Sequence, residues 1–134
     1  MRRKKNYVEF EDDRGITRRY FHHSNGGGLV ESSATVDPTA YVHASAYVDP
    51  AARVHHGARI GDGAWIDHGA VIAPAAEIGA NAHIGAGAVV GSRAVIGARA
   101  QVGARARIGD GARILADDVV TQGATVEHGS TRAA

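Results

Sequence analysis

A chain of 134 residues has room for one domain and no second core. It contains no Cys, which removes disulfides, zinc–thiolate sites and thiol nucleophiles together, and its net charge of +1 gives no global pull toward nucleic acid. The apolar 44% is Ala, Val and Ile with few aromatic rings, and 18 Gly without a three-residue period point to repeated tight turns. No apolar run approaches a membrane span. The charged start, Met1 to Lys5, is not followed by the apolar stretch of a signal peptide, so a cytoplasmic protein with no membrane partner is expected.

Residues 1–27 differ in character from the rest of the chain. Tyr7 to Glu11 alternates polar and apolar, Asp12-Asp13-Arg14-Gly15 supplies turn chemistry, and Ile16 to Phe21 alternates again. That predicts a β-hairpin with a four-residue connection. An isolated hairpin is marginal in water, so its rings are expected to lie against the open end of the next domain as a capping arm. The basic Arg2 to Lys5 is expected to be a solvated terminus, and His22 to Gly28 a flexible glycine-rich joint.

From Gly28 to Gly129 an aliphatic residue returns every six positions, seventeen times, from Val30 and Val36 through Ile84 to Val126. Two residues before each stands Ala, except at Gly28 and Asp118. Residues two apart share one face of a strand, so Ala and the aliphatic point inward while the residues before and after the aliphatic point out. Of the two turn positions left, the second is Gly or Asn in half of the hexads, as a positive φ would require. Six residues do not keep one face on a helix, and a flat meander of such short strands would leave long bare edges. A coil of three hexads, each one side of a triangular prism, closes the structure, with every strand pairing in parallel with the strand eighteen residues later. Residues 28–129 form this repeat domain and 130–134 a tail.

The pattern of Val or Ile, then Gly, Asp or His, with Ala two residues before the next aliphatic, resembles the hexapeptide-repeat, left-handed parallel β-helix proteins. That family includes acyltransferases and γ-class carbonic anhydrases and is commonly trimeric. The resemblance implies the left hand of the coil, an all-β fold of about five to six coils, and a homotrimer.

Stacking at eighteen residues sorts the outward side chains into three faces. The first carries Leu29, Tyr47, Trp65, His83, Gln101 and Val119, with Glu31, Asp49 and Asp67 beside them. Tyr47, Trp65 and His83 should therefore form a ladder of flat rings at about 4.8 Å spacing. This ladder is expected at a protomer interface, on a ligand or partner platform, or packed under the N-terminal hairpin, and the valines Val71, Val89 and Val95 at an oligomer contact. Glycines after the aliphatics are expected to admit another chain's backbone. Arg93, Arg99 and Arg105 occupy equivalent turn positions on the three corners of one coil, a basic girdle that could bind anions or an acidic partner.

Both enzyme classes of the fold use histidine. Acyltransferases need a general base and a groove between protomers for a CoA thioester; His83 and then His55 are the candidates here. The His-x4-His pair of the carbonic anhydrases is absent, so a metal shared by His43, His55 or His83 of different chains is the third reading. Family enzymes usually break the repeat with a loop to shape their site, and nothing interrupts it between Gly28 and Gly129. The expectation is therefore a non-catalytic structural or assembly module without a cofactor, a homotrimer able to engage protein partners through its N-terminal arm. The alternative is a CoA-dependent acyltransferase with its site between protomers.

Overall fold

The computed structural model describes residues 7–132, which hold twenty strands and no helix. No helix there is long and apolar enough to cross a membrane. Strands β1 (Tyr7–Glu11) and β2 (Thr17–His22) form the expected hairpin, and β2 pairs antiparallel with β3 (Leu29–Glu31), the first strand of the repeat. The connection is one residue longer than expected. Asp12 Oδ1 accepts the backbone N–H groups of Arg14 and Ile16 at 2.9 and 3.0 Å, which keeps Ile16 in the turn. The Ile16 bond is the main cause holding the Asp12 carboxyl below its ordinary range. The basic run Arg2 to Lys5 lies outside the described residues.

Seventeen two-residue strands follow at six-residue intervals. Each pairs in parallel with the strand eighteen residues away, as in Tyr47↔Trp65, Trp65↔His83 and Val71↔Val89. The result is the expected left-handed parallel β-helix: three sheets, one per face, of which the hairpin extends the first to eight strands. Ala and the aliphatic residue point inward in the hexads from Val36 to Ile114, and Ile60, Ile66, Ile72 and Ile84 have no exposed surface. Each such side chain contributes roughly 1.5–3 kcal/mol of burial.

The corners explain the spacing. Fourteen consecutive corner residues, every sixth from Ala51 to Gly129, have positive φ. Eight are the Gly and Asn positions of the sequence pattern; the other six are Ala51, Ala75, Arg93, Arg99, Arg105 and Asp117. The left-handed conformation costs a side-chain-bearing residue energy. Here it aims the corner N–H groups from Gly69 to Gly129 at a carbonyl of the preceding coil, as from Gly69 to Pro50 at 3.0 Å and from Arg99 to Ala80 at 2.8 Å. The first three corners, Ser33, Thr39 and Ser45, lack positive φ, and their hydroxyls take the place of that carbonyl. They accept the N–H of Ala51, Gly57 and Gly63 at 3.0, 3.0 and 2.9 Å.

Both ends of the repeat differ from expectation. The joint is bonded along its length: Val42 N–H donates to Asn25 O, Gly28 N–H to Val42 O, and His23 Nε2 lies 2.8 Å from Ala40 O. A Cβ at Gly26 would fall 2.2 Å from Val42 O, so glycine is required there by close approach as well as by φ 108. At the other end the coil runs past residue 129, with Thr131–Arg132 pairing with Arg113–Ile114. Arg132 occupies an aliphatic slot and Asp118 an Ala slot, and the two meet at Nε–Oδ2 3.5 Å. A search for aliphatic residues overlooks a hexad whose inward residue is a cation.

The glycines after the aliphatics have a different cause from the one expected. A Cβ at Gly79, Gly85, Gly97 or Gly103 would meet backbone of the next coil of the same chain at 2.4–2.8 Å. Their smallness serves coil stacking within one chain.

Candidate active site

The first face carries the site. Its three middle coils present Tyr47, Trp65 and His83 in one column, since the strands Tyr47–Val48, Trp65–Ile66 and His83–Ile84 pair in register. Tyr47 stacks on Trp65 at 5.9 Å with planes 27° apart, and Trp65 on His83 at 4.0 Å and 17°. The column is the expected ladder, tightest at the histidine.

Two carboxylates fix these rings from one coil back. Trp65 Nε1–H donates to Asp49 Oδ2 at 2.6 Å, and His83 Nε2 lies 3.0 Å from Asp67 Oδ2. Asp67 is itself held by the His68 N–H at 2.7 Å. A carboxylate on Nε2 favours the tautomer with the proton there, leaving a lone pair on Nδ1. No described residue bonds that nitrogen. The other oxygen of Asp49 accepts the Tyr20 hydroxyl at 2.7 Å, tying the hairpin to the face. Burial, then the bond to Asp49, pushes the Tyr20 hydroxyl well above its ordinary range. Burial, followed by the charges of Asp49 and Asp67, raises Tyr47 as well.

His83 and Asp67 stand at the head of a groove of about 350 Å³ that continues over Gly85, Gln101, Gly103 and Val119. The glycines after Ile84 and Val102 keep its floor flat. All of its lining belongs to the first face and its corners, so it has a floor without a facing wall. At the other end of the ladder, Phe10, Tyr20, Leu29 and Tyr47 surround an apolar hollow of about 360 Å³.

The remaining predicted residues are elsewhere. His55 is exposed on the second face with no hydrogen bond to its ring among the described residues. His43 is on the third face, where Nδ1 meets the Ser45 hydroxyl at 2.9 Å. His43, His55 and His83 thus point three ways, and no three metal-ligating side chains cluster among the described residues. Val71 and Val89 are half-buried neighbours on the second face, and Val95 lies on the third. Arg93, Arg99 and Arg105 sit on three different corners, so one anion cannot reach all of them. Arg99 is already held by Asp117 through bonds of 2.7 and 3.0 Å.

The sequence placed Asp49 and Asp67 beside the ladder without pairing them to it. The signal is a spacing of sixteen residues, from the position after one aliphatic to the position before the aliphatic one coil on. A carboxylate sixteen residues before a ring donor occurs at both Trp65 and His83.

Comparison with known proteins gives this geometry a context. The family model of the bacterial transferase hexapeptide (six repeats) matches residues 57–92. Among solved structures, the chain is similar to perosamine N-acetyltransferase from Caulobacter crescentus in complex with CoA and GDP-perosamine. Identity is 29%, with a TM-score of 0.72 over 76% of this chain and 49% of that one. That enzyme was crystallised with one histidine replaced by asparagine and, separately, by alanine. The chain is also similar to the acetyltransferase domain of PglB from Neisseria gonorrhoeae, at 25% identity and a TM-score of 0.68 over 79% of this chain and 54% of that one. The same domain in complex with acetyl coenzyme A matches at a TM-score of 0.57, over 73% and 53%. The chain spans about half the length of these proteins. No curated protein matches it in sequence. These likenesses overturn the expectation of a non-catalytic structural or assembly module, because the similar structures are acetyltransferases, some with CoA or acetyl-CoA bound. An unbroken repeat does not by itself argue against a site, because side chains on consecutive coils of one face meet here, as His83 and Asp67 do at 3.0 Å.

Proposed function

We propose that this hexapeptide-repeat β-helix is the acyl-transferring part of a CoA-dependent acetyltransferase, with His83 as its general base. The observation that carries the reading is the His83–Asp67 pair at 3.0 Å, with Nδ1 unbonded at the head of a flat groove. Asp67 holds the Nε2 proton and the ring's rotation, so the Nδ1 lone pair can take a proton from an acceptor amine. As the amine nitrogen attacks the thioester carbonyl, the N–C bond forms. The C–S bond then breaks, and the proton taken by His83 passes to the departing CoA sulfur. CoA or acetyl-CoA bound in the similar enzymes supports an acetyl-CoA donor, and the N-acetyltransferase activity of the Caulobacter crescentus enzyme supports an amine acceptor.

The groove's missing wall supports a second feature. In a homotrimer, a neighbouring copy would stand opposite the first face and enclose the thioester, with Val71, Val89 and Val95 as contact residues. Light scattering should find a trimer at micromolar concentration; a monomer would remove the wall from the reading.

The test is release of the CoA thiol from acetyl-CoA in the presence of a panel of amino sugars, free and nucleotide-linked. His83→Gln should lower the rate by about 100-fold or more, as loss of a general base does, with CoA binding retained. Full activity in His83→Gln would exclude this base. A wild-type protein that neither binds CoA nor releases thiol would sink the whole reading.

A further inference from the structure

The hairpin and the histidine are linked through a chain of contacts that the proposed chemistry does not by itself require. Asp49 takes one donor on each oxygen: the Tyr20 hydroxyl on Oδ1 at 2.7 Å and the Trp65 indole N–H on Oδ2 at 2.6 Å. The indole so held lies flat against the imidazole, 4.0 Å away and 17° from parallel. Phe10 packs edge-on against Tyr20 at 5.4 Å, and Asp12 pairs with Arg18 in the same hairpin at 3.2 Å. These contacts stiffen the strand that delivers Tyr20.

We propose that Tyr20, Asp49 and Trp65 are positioning residues for His83: the hairpin clamps the indole, and the indole plane sets the plane of the imidazole. Asp67 sets rotation within that plane. Two independent restraints are needed to aim one ring nitrogen, and a single hydrogen bond leaves the ring free to tilt about it. The inference rests on the reading of His83 as the base, but its geometry is testable without turnover. The raised Tyr20 hydroxyl supports it, since a tyrosine that stays protonated remains a donor to Asp49.

The chemistry of the clamp predicts which substitutions it tolerates. A tyrosine hydroxyl can donate or accept, whereas an indole N–H can only donate. In Asp49→Asn, the amide oxygen can turn to the indole and the amide NH2 can donate to Tyr20, so the clamp survives. Asp49→Ala removes both contacts, and Tyr20→Phe removes the hairpin's.

The experiment is proton NMR of the folded chain, reading the ring C–H resonances of His83, assigned by their loss in His83→Gln. Trp65 is the only tryptophan, so an upfield ring-current displacement of a histidine signal that disappears in Trp65→Leu identifies the stack. Tyr20→Phe and Asp49→Ala should move these resonances toward the unstacked position by half or more of the displacement, with backbone shifts of the later coils unchanged. Asp49→Asn should stay close to wild type. His83 resonances identical in wild type, Tyr20→Phe and Asp49→Ala would overturn the positioning role. Displaced resonances in a wild type without acyl transfer would support the clamp while removing the base assignment, so the two claims fail separately.

Discussion

The prism is closed by chain at its N-terminal end and by charge at its C-terminal end. At the start, β2 adds a strand to the first face, and the joint from His23 to Gly28 bonds along Ala40 and Val42. Phe21, whose ring lies 5.4 Å from that of Tyr7, stands beside the half-buried Val30 and Val36. At the finish there is no comparable cover among the described residues. Instead the last coil turns a carboxylate and a guanidinium into slots that hold Ala and Ile elsewhere, and Asp118 is 3% exposed. An open parallel coil must end its apolar interior somewhere, and either solution keeps the final rung from presenting bare hydrocarbon to water. The chain-built end adds the hairpin's side chains to the first face, and Tyr20 reaches Asp49 beside the ladder.

The largest effect should come from a position that both ends depend on. Ile84 has no exposed surface and sits in the middle of the stack. Ile84→Asp puts an unpaired charge among aliphatic residues and should lower stability by more than about 4 kcal/mol, enough to unfold the chain at room temperature. Circular dichroism with urea checks it; a cooperative transition close to wild type would mean the core is not continuous through this coil.

Next is the charged end. Removing one partner of a buried pair costs about 3–5 kcal/mol, but the Arg132 side chain is 39% exposed, so Arg132→Ala should cost about 2 kcal/mol. The double replacement Asp118→Ala with Arg132→Ile restores the hexad rule and should return stability to wild type or above. If the double variant is as weak as Arg132→Ala, the pair is not acting as a substitute for the apolar rung.

The chain-built end gives a smaller and pH-dependent effect. Tyr20→Phe loses one hydrogen bond to a charged acceptor and should cost about 1–2 kcal/mol at neutral pH. Folding raises the Tyr20 hydroxyl above its unfolded value of 10, so the folded state keeps a proton that the unfolded state gives up. The contribution is therefore complete below pH 10 and declines as pH rises above it. Tyr20→Phe should flatten this decline without abolishing it, since Tyr47 is raised too. Parallel pH dependences for wild type and variant would show that the hydroxyl is not held by Asp49.

Much of this was legible because the period is strict. Parity alone assigned Ala and the aliphatic residues to the interior, and the eighteen-residue offset put Tyr47, Trp65 and His83 in one stack. Features that broke the residue-type rule while keeping the spacing were lost. Arg132 continues the repeat with a cation, and Arg93, Arg99 and Arg105 take the left-handed corner conformation without being Gly or Asn. The His83–Asp67 pair was missed for another reason. Side chains lean between neighbouring rungs, so partners lie sixteen residues apart, and a table of eighteen-residue columns does not display that diagonal.

The smallest effect should separate two ion pairs made by adjacent residues. Asp118 is buried against the part-exposed Arg132, whereas Asp117 is exposed and bonds Arg99 across one coil at 2.7 and 3.0 Å. The bond to Arg99 lowers the Asp117 carboxyl, yet both groups remain in water, where attraction and hydration largely cancel. Arg99→Ala should leave the thermal midpoint within experimental scatter of wild type. Arg99→Gly should raise it slightly, because Arg99 has φ 62 and glycine adopts that conformation without strain. A loss in Arg99→Ala as large as that in Arg132→Ala would mean that the corner pair, and not the buried one, holds the final coil in place.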